Sequence, residues 1–247
     1  MSRRRRFKVD SLSGAQAEAR IELPETERRH AGVLRLQPGD EVELFDGERV
    51  WRARMGADAR TAVLTGAETR RTGDRPRIVL AAAWPKGKRA ATLVEKCVEL
   101  GADEIVPLRC ARSVVLKAAA GAGMDRLRRI ADEAAKQSGR ATVAVIGDER
   151  TPSQLLERLP AGAAAALLDP RAEGPLVEFL QDSRRATAWC FLVGPEGGFT
   201  PDEIEAARRL GAIAVRLGPH VLRVETAALA ACAVAAAVCG AERDVSG

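Results

Sequence analysis

Two glycine-bearing loops in the last third of the chain have the residue types best suited to holding a ligand. The first, Gly194-Pro195-Glu196-Gly197-Gly198, follows the apolar run that ends at Val193. The second runs from Leu217 to Thr226 and contains Gly218. Glycine lets main-chain N–H and C=O groups approach a ligand without a Cβ in the way. We therefore expect the two loops, which lie close in sequence, to line one pocket.

Buried strands and amphipathic helices alternate in the part of the chain that carries these loops. Continuous apolar runs are typical of strands in a parallel sheet that is covered on both faces. The predicted strands are Ile78–Ala83, Ile105–Leu108, Val143–Ile146, Ala163–Leu168, Trp189–Val193 and Ala212–Leu217. Each glycine loop thus follows a strand. The carboxyl ends of strands are where open α/β sheets bind ligands.

Local signals predict where the helices begin and end. Apolar residues at helical spacing predict helices over Lys88–Leu100 and Asp125–Ser138, and a glycine follows each of them. The stretch Thr200-Pro201-Asp202-Glu203 has capping-box spacing with proline at the first helical position, so a helix is expected directly after the first loop. A last helix is expected from Glu225, directly after the second loop.

The loops do not match the common nucleotide-binding motifs. Neither is G-x-G-x-x-G, and the chain has no G-K-[ST], which disfavours a phosphate cradle and a dinucleotide oxidoreductase. Glycines that only make tight strand-to-helix turns explain either loop taken alone. The occurrence of both, in this order, favours a binding site.

The front of the chain has a different pattern. Short alternating runs at Glu41–Phe45, Val50–Ala53 and Ala62–Leu64, with Asp46-Gly47 between the first two, predict hairpins in a small β-barrel. Arg70–Arg75 is predicted as a polar linker. The sequence therefore predicts two domains, a barrel over residues 1–72 and an α/β domain over residues 73–247.

The charge and the aromatic content of the chain indicate how it could bind RNA. The net charge is +5, and most of the basic residues are arginine, which binds phosphate through two parallel hydrogen bonds. An arginine bias of this kind also arises from genome composition alone. The chain has no Tyr, five Phe and three Trp, too few for a base-stacking platform. Any RNA contact is expected to be mainly arginine on phosphate.

Cysteine, histidine and hydropathy patterns argue against a disulfide-bonded, metal-binding, secreted or membrane protein. Five widely spaced cysteines without C-x-x-C predict buried thiols rather than disulfides or a zinc site, and with only two histidines no metal is expected. Arg3–Arg6 lack the apolar segment of a signal peptide behind them. The apolar run Ala227–Cys239 is short and mostly alanine, so it predicts a buried helix. A cytoplasmic protein is expected.

Motifs along nearly the whole chain resemble a family of SPOUT methyltransferases, which methylates N3 of a uridine in 16S ribosomal RNA. Besides the two glycine loops, the resemblance includes His30–Arg35, Pro38–Asp40, Phe45–Gly47, Lys96–Gly101, Pro107, Arg112–Val115 and Glu133–Arg140. The resemblance departs from the family pattern at Ala144, where proline is frequent, and at His220, where arginine or lysine is frequent.

The resemblance implies a fold, a cofactor and partners. The fold is a PUA-like β-barrel followed by an α/β SPOUT domain whose C-terminal chain forms a trefoil knot. The methyl donor is S-adenosylmethionine, bound in the knot. The substrate is 16S ribosomal RNA in the small ribosomal subunit, and the enzyme is a homodimer. No membrane partner is expected.

The same resemblance, with the chemistry of methyl transfer, suggests roles for individual residues. Loss of the proton from uracil N3 leaves negative charge on the ring carbonyls, which Arg223 or Arg140 is expected to stabilise. Glu225 is either a base or, more in keeping with an acid at a helix start, a cap of the last helix. The predicted cofactor residues are Leu168, Gly194, Pro195, Glu196, Gly197, Gly198, Leu217, Gly218, Val221 and Leu222.

For RNA binding, the expected residues are Arg3, Arg4, Arg5, Arg6 and Arg35, with the barrel as a guide. Arg3–Arg6 are equally consistent with a solvated, disordered tail. Two further functions remain as alternatives. One is a related SPOUT enzyme that methylates a transfer-RNA ribose, and the other is a non-catalytic RNA-binding protein.

Overall fold

The computed structural model of the 247-residue chain describes residues 5–47, 49–58, 60–71, 75–85, 87–113, 122–140 and 142–240. In chain order, its strands and helices are β1 (Arg5–Lys8), β2 (Arg20–Glu22), α1 (Glu25–Val33), β3 (Glu41–Phe45), β4 (Arg49–Met55), β5 (Thr61–Arg71), β6 (Arg77–Ala83), α2 (Lys88–Glu99), β7 (Glu104–Leu108), α3 (Ala122–Ser138), β8 (Val145–Ile146), α4 (Pro152–Leu156), β9 (Ala164–Leu168), α5 (Leu176–Asp182), β10 (Ala188–Val193), α6 (Pro201–Arg209), β11 (Ile213–Val215) and α7 (Val224–Gly240).

The chain divides into two compact units. The first unit consists of Met1–Asp74 together with Ala135–Val143. The second consists of Arg75–Ala134 together with Ala144–Gly247. The chain therefore returns to the first unit with the last turn of α3 and the loop after it. A single domain boundary in the sequence, as predicted at residue 72, does not describe this division.

The first unit is built on a five-stranded sheet with the strand order β1-β3-β4-β5-β2. The first pair, β1 with β3, is parallel, and the other pairs are antiparallel. The hairpin predicted at Asp46-Gly47 is confirmed, since these residues join β3 to β4. Gly47 has a φ of +102°, a conformation that glycine adopts at little cost, and Oδ1 of Asp46 accepts a hydrogen bond from the Arg49 N–H at 2.8 Å.

The predicted linker over Arg70–Arg75 is partly wrong. Strand β5 continues to Arg71, and the backbones of Arg70 and Arg71 pair with Val50 and Arg49 of β4. The arginine-rich composition suggested a loop, but strand pairing is decided by the partner backbone, which composition does not reveal. The remainder of the predicted linker up to Asp74 lies outside the described residues.

Charged groups are buried in the first unit. Arg6 is 7% exposed, and its Nε donates to Oε2 of Glu43 at 3.0 Å. One terminal nitrogen of Arg6 donates to the carbonyl oxygen of Arg140 at 2.6 Å, and the guanidinium lies 4.8 Å from the centre of the Phe45 ring. Glu27, which is 5% exposed, forms an ion pair with Lys136. Buried charges are stable only when they are paired in this way, so these contacts fix the last turn of α3 and the loop after it to the first unit.

The second unit contains a parallel six-stranded sheet with the order β11-β9-β10-β6-β7-β8. The predicted parallel sheet is thereby confirmed, although β8 and β11 are shorter than the apolar runs that predicted them. Every residue of β10 is buried. The helices α4 and α6 add Leu155 and Ala207 to a core with Val79 and Leu192, while α7 contacts β6, β10, α2 and α5.

The predicted helices are confirmed, and three short ones were not anticipated. Helix α2 is followed by Gly101 (φ +106°) and α3 by Gly139 (φ +77°), the left-handed residues that commonly end helices. The unanticipated helices are α1, α4 and α5, which have 9, 5 and 7 residues. Helices this short give too few repeats for a periodic apolar pattern to be recognised.

The cysteines agree with the expectation of thiols. All five are thiols rather than disulfides; four of them are buried and Cys239 is half-buried. Burial raises the pKa of the Cys190 thiol to about 12. No group of three or more metal-ligating side chains was found within the described ranges. In the same part of the chain, none of the helices combines the length and apolar character needed to cross a membrane.

Candidate functional site

Three loops meet at one edge of the parallel sheet. They follow β9, β10 and β11, which are neighbours in the order β11-β9-β10 and run in the same direction. Because parallel strands place their carboxyl ends on the same edge, the loops after Leu168, Val193 and Val215 are brought together. The two glycine loops therefore have a third neighbour, the loop after β9. At this strand end only Leu168, the last residue of β9, was predicted to belong to the site.

The three loops surround a cavity with about 710 Å³ of empty space, including its open mouth. The residues that line the cavity are Leu168, Asp169, Pro170, Arg171, Val193, Gly194, Pro195, Glu196, Gly198, Phe199, Leu217, Gly218, His220, Val221, Leu222, Val224 and Ala227. Apolar side chains and main-chain groups of the glycine loops thus make up most of the wall.

Gly194 is required by a close approach within the protein. A Cβ at this position would lie 2.9 Å from Cε2 of Phe199, a distance that real Cβ contacts do not adopt. Phe199 is 4% exposed and belongs to the core that β10 shares with α4 and α6. The aromatic ring therefore sets the path of the first glycine loop as it leaves β10.

Gly218 is required neither by packing nor by its backbone conformation. A Cβ at Gly218 would meet no protein atom within 4 Å, and its φ is outside the left-handed region. The residue nevertheless lines the cavity. Its missing side chain leaves room for a ligand to approach the main chain of the second loop.

The first loop continues into a tightly capped helix. The hydroxyl of Thr200 accepts a hydrogen bond from the Glu203 N–H at 3.2 Å, and Oε2 of Glu203 accepts one from the Thr200 N–H at 2.8 Å. This reciprocal pair is the predicted capping box, with Pro201 at the first helical position. Helix α6 therefore holds the downstream end of the loop.

The loop after β9 contributes a charged pair that the sequence reading missed. Both oxygens of the Asp169 carboxylate are engaged by the Arg171 side chain, at 3.1 and 3.0 Å, and Oδ1 also accepts from the Arg171 N–H at 2.9 Å. Partial burial raises the pKa of Asp169, but the hydrogen bonds from Arg171 outweigh it and leave that pKa below its usual value. The arginine side chain is 76% exposed. The sequence signal that could have revealed this pair is Asp169-Pro170-Arg171, two charged residues directly after a predicted strand.

The structure brings most of the predicted cofactor residues together. All of them except Gly197 line the cavity, and Gly197 lies in the turn between two that do. Of the two candidate catalytic arginines, Arg223 is exposed between the lining residues Leu222 and Val224. Arg140 belongs to the first unit, where a terminal nitrogen of its side chain donates to Oγ1 of Thr142 at 3.0 Å.

Glu225, the carboxylate considered as a base, is the second residue of α7 and does not line the cavity. Its Oε1 forms an ion pair with the Arg89 side chain on α2, at 3.7 Å. An acid in the first turn of a helix is favoured by the helix dipole. The position of Glu225 therefore favours the cap over the base.

The predicted RNA-binding arginines are placed differently from one another. Arg3 and Arg4 lie outside the described residues. Arg5 is exposed at the start of β1, and Arg35 is exposed with a φ of +53° after α1. Arg6 is buried, and its guanidinium is already engaged by Glu43 and main-chain oxygens. A direct phosphate contact at Arg6 would require breaking this ion pair.

Comparison with known protein families identifies the family to which the chain belongs. A model of an RNA methyltransferase domain matches residues 73–236, and a model of an RNA methyltransferase PUA domain matches residues 23–65. The chain belongs to this RNA methyltransferase family. The predicted family and the predicted combination of a PUA domain with an α/β domain are confirmed. The trefoil knot stays a prediction.

Named relatives cover most of the chain. It is 34% identical to ribosomal RNA small subunit methyltransferase E from Mycobacterium bovis over 234 residues, which is 91% of this chain and 88% of the relative. It is 35% identical to the protein of the same name from Synechocystis over 199 residues, 79% of this chain and 65% of the relative. Among solved structures, the family member from Neisseria gonorrhoeae bound to S-adenosyl methionine has a TM-score of 0.81 and 29% identity, covering 96% of this chain and 98% of that one.

Proposed function

We propose that the protein is an S-adenosylmethionine-dependent methyltransferase that modifies N3 of a uridine in 16S ribosomal RNA of the small ribosomal subunit. The observation that carries this proposal is the convergence of three strand-end loops on one cavity, in a chain of the RNA methyltransferase family. The relatives named above act, by name, on ribosomal RNA of the small subunit.

The cavity suits a cofactor with both apolar and polar parts. Leu168, Leu217 and Leu222 offer apolar walls to an adenosine, and the glycine loops offer main-chain donors and acceptors. The open space beside Gly218 allows such a ligand to reach the main chain. When bound, S-adenosylmethionine supplies an electrophilic methyl group. We assign the cofactor contacts to the nine predicted residues that line the cavity and add Asp169, whose carboxylate suits a cationic group.

The chain's own groups have two tasks in the reaction. The loops must hold the reactants in line, since positioning supplies much of the acceleration in such transfers. The charge left on uracil when the N3 proton departs must be stabilised, and we assign this task to Arg223, with Arg140 as the second candidate. The exposed side chain of Arg223 between two lining residues is free to approach a nucleotide at the mouth of the cavity.

For substrate binding, we propose that the PUA domain guides the RNA through Arg3, Arg4, Arg5 and Arg35. Exposed arginines bind phosphate in pairs of hydrogen bonds, and both Arg5 and Arg35 are exposed. Arg6, also expected to bind RNA, instead holds the fold of the domain from which the neighbouring Arg5 projects. Removal of residues 1–70 with unchanged activity on small subunits would refute the guide role.

We also propose a homodimer, a C-terminal knot and a cytoplasmic location. Helix α7 has one charged residue, Glu225, and Leu229, Ala233 and Val234 on it are only half-buried. A helix that is apolar on all sides is normally covered, here by a second copy of the chain. Sedimentation equilibrium measures whether the protein is a dimer in solution.

The strand order agrees with the proposed knot. Strand β11 follows β10 in the sequence but lies at the edge of the sheet beside β9, so the chain passes back across β9 after leaving β10.

The proposed function is tested by mapping methylated uridines. Purified protein and S-adenosylmethionine are incubated with unmodified small subunits, and the RNA is digested and analysed by mass spectrometry. We expect one N3-methyluridine in 16S RNA. A methyl group on a ribose of transfer RNA in a parallel incubation would instead support the related SPOUT activity. Failure to bind S-adenosylmethionine at all would support the non-catalytic RNA-binding alternative.

A further inference from the structure

The loop after β7, residues 109–113, is fastened to the first glycine loop from outside the cavity. A terminal nitrogen of Arg112 donates to the carbonyl oxygen of Gly197 at 2.7 Å. The methylene groups of Arg112 lie over the same glycine, since a Cβ at Gly197 would be 3.3 Å from Cδ of Arg112. The side chain of Arg112 thus contacts the one predicted cofactor residue that does not line the cavity.

The peptide that Arg112 holds is the one that closes the turn of the glycine loop. The Gly198 N–H donates to the carbonyl oxygen of Pro195 at 2.8 Å, which makes Pro195–Gly198 a four-residue turn. The Gly197 carbonyl and the Gly198 N–H belong to the same planar peptide unit. By fixing the carbonyl, Arg112 also orients the N–H, and with it the turn that presents Pro195, Glu196 and Gly198 to the cavity.

The loop that carries Arg112 is itself well anchored. The Cys110 N–H donates to Oγ of Ser113, and the Ser113 N–H donates to the Cys110 carbonyl, both at 3.0 Å. Cys110 is 5% exposed in the core that contains Phe199. The Ala111 N–H donates to Oε1 of Glu203, the capping-box residue of α6, at 2.8 Å. Arg112 therefore projects from a loop that is held in place by its own hydrogen bonds and by the bond to Glu203 of α6.

The glycine loop benefits from such a support because three of its five residues are glycine, whose backbone no side chain restricts. Ordering a residue costs conformational entropy, and glycine loses the most. Gly194 is fixed by Phe199, but Gly197 has no comparable contact from the protein interior. A support that orders the loop before the ligand arrives increases affinity by lowering the cost of binding.

We propose that Arg112 is a positioning residue for the cofactor. Its hydrogen bond to Gly197 keeps the turn Pro195–Gly198 in the shape that binds S-adenosylmethionine. This inference rests on the proposed function, because it assigns the occupant of the cavity. Arg112 acts through the main chain of the loop and is not expected to touch the reacting atoms.

The first test measures cofactor affinity with the full-length protein. Titration calorimetry with S-adenosylmethionine compares the wild type with Arg112→Ala, Arg112→Lys and Arg109→Ala. We expect the Kd to rise about 5- to 10-fold in Arg112→Ala, as for the loss of a charge-assisted hydrogen bond. Arg112→Lys is expected to recover part of the loss, because an ammonium can make one such bond.

Arg109 is the matched control from the same loop. Its side chain is 59% exposed and pairs with Glu149 at 3.1 Å, away from the glycine loop. We expect Arg109→Ala to change the Kd less than about 2-fold, as is usual for a surface ion pair. An Arg112→Ala protein that binds the cofactor like the wild type overturns the inference. A wild-type protein without measurable cofactor binding overturns the proposed function instead.

Turnover separates positioning from RNA binding. On small subunits, Arg112→Ala is expected to raise the KM for S-adenosylmethionine with a smaller change in kcat. A rise confined to the KM for the RNA substrate would assign Arg112 to a phosphate contact and overturn the inference.

A double-mutant cycle tests the contact itself. Gly197→Ala alone places a methyl group against Cδ of Arg112, so we expect it to weaken cofactor binding by about 3-fold or more. In Arg112→Ala the obstructing methylene groups are absent, and the added cost of Gly197→Ala is expected to be less than about 2-fold. Equal costs in the two backgrounds would show that the residues are not coupled.

Hydrogen exchange gives a readout without any cofactor. The Gly198 amide, which closes the turn, is expected to exchange faster in Arg112→Ala than in the wild type or in Arg109→Ala. Unchanged exchange at Gly198 would mean that the turn is stable without Arg112.

Discussion

The two units of the chain use charged side chains in opposite ways. In the part of the chain that the structure describes, the buried charged residues are Arg6 and Glu27, and both belong to the first unit. In the second unit the buried residues are apolar, and charged groups such as Arg171 and Glu196 are exposed at the cavity. Buried charge therefore stabilises the first unit, whereas charged groups beside the cavity of the second unit are available to a ligand.

This difference predicts where substitutions change stability and where they change activity. Removing one partner of a buried pair leaves the other charge unpaired away from water, a penalty that falls on folding. Removing an exposed charge beside the cavity costs little stability, so its effect is expected on the reaction. The same residue type, arginine, should thus give opposite phenotypes in the two units.

The largest expected effect is the loss of stability in Arg6→Ala. This change leaves Glu43 and the carbonyl oxygen of Arg140 without their donor, so we expect a loss of about 3–5 kcal/mol in the free energy of unfolding. Urea denaturation measures it. The control is Arg29→Ala, an exposed pair with Glu25 that should cost less than about 1 kcal/mol. Equal losses in the two variants would remove the contrast between the units.

The second prediction concerns Arg223→Ala. If Arg223 stabilises charge on the uracil, kcat should fall about 100- to 1,000-fold, while cofactor affinity and stability stay close to wild type. Methyl transfer to small subunits and titration calorimetry measure the two quantities. Arg208→Ala, another exposed arginine of the second unit, is the control. Cofactor affinity lost in step with turnover would place Arg223 in the cofactor site.

A third prediction tests whether packing in the second unit shapes the site. In Gly194→Ala the new Cβ would meet the ring of Phe199 at 2.9 Å, and the buried ring cannot easily move. We expect a loss of about 1–3 kcal/mol in stability, as for overpacked cores, with weaker cofactor binding. Gly218→Ala meets no protein atom and is expected to weaken binding without loss of stability. A stability loss in Gly218→Ala would contradict the assignment of that space to a ligand.

The smallest expected effect is the pH dependence of the Asp169–Arg171 pair. The folded protein holds the pKa of Asp169 below its usual value, so the pair stabilises the fold above about pH 3.9. This contribution is lost as the pH falls through the folded-state pKa. Asp169→Asn should therefore cost about 0.5–1 kcal/mol at pH 7, as for a pair whose arginine is exposed to solvent, and progressively less below pH 4.

Urea denaturation of Asp169→Asn and the wild type across this pH range provides the test. Arg171→Ala removes the other partner and is expected to show the same trend, because the two side chains act as a pair. A difference between Asp169→Asn and the wild type that grows as the pH falls would mean that the carboxylate is not stabilised in the folded state.

The sequence by itself determined the features that depend on neighbouring residues. The capping box at Thr200 and Glu203, the left-handed glycines after α2 and α3, and the Asp46-Gly47 hairpin are set by hydrogen bonds and backbone conformations within a few residues. Apolar runs identified the strands because full burial requires them. The placement of both glycine loops after strands followed from these local patterns.

Only the tertiary structure decided which distant residues meet. The sheet order β11-β9-β10 adds Asp169 and Arg171 to the cavity, and the loop after β7 brings Arg112 onto Gly197. The return of residues 135–143 to the first unit buries Arg6, which in sequence belongs to an arginine run that also fits a solvated tail. Such contacts depend on strand order and chain path, and these result from packing across the whole chain rather than from local preference.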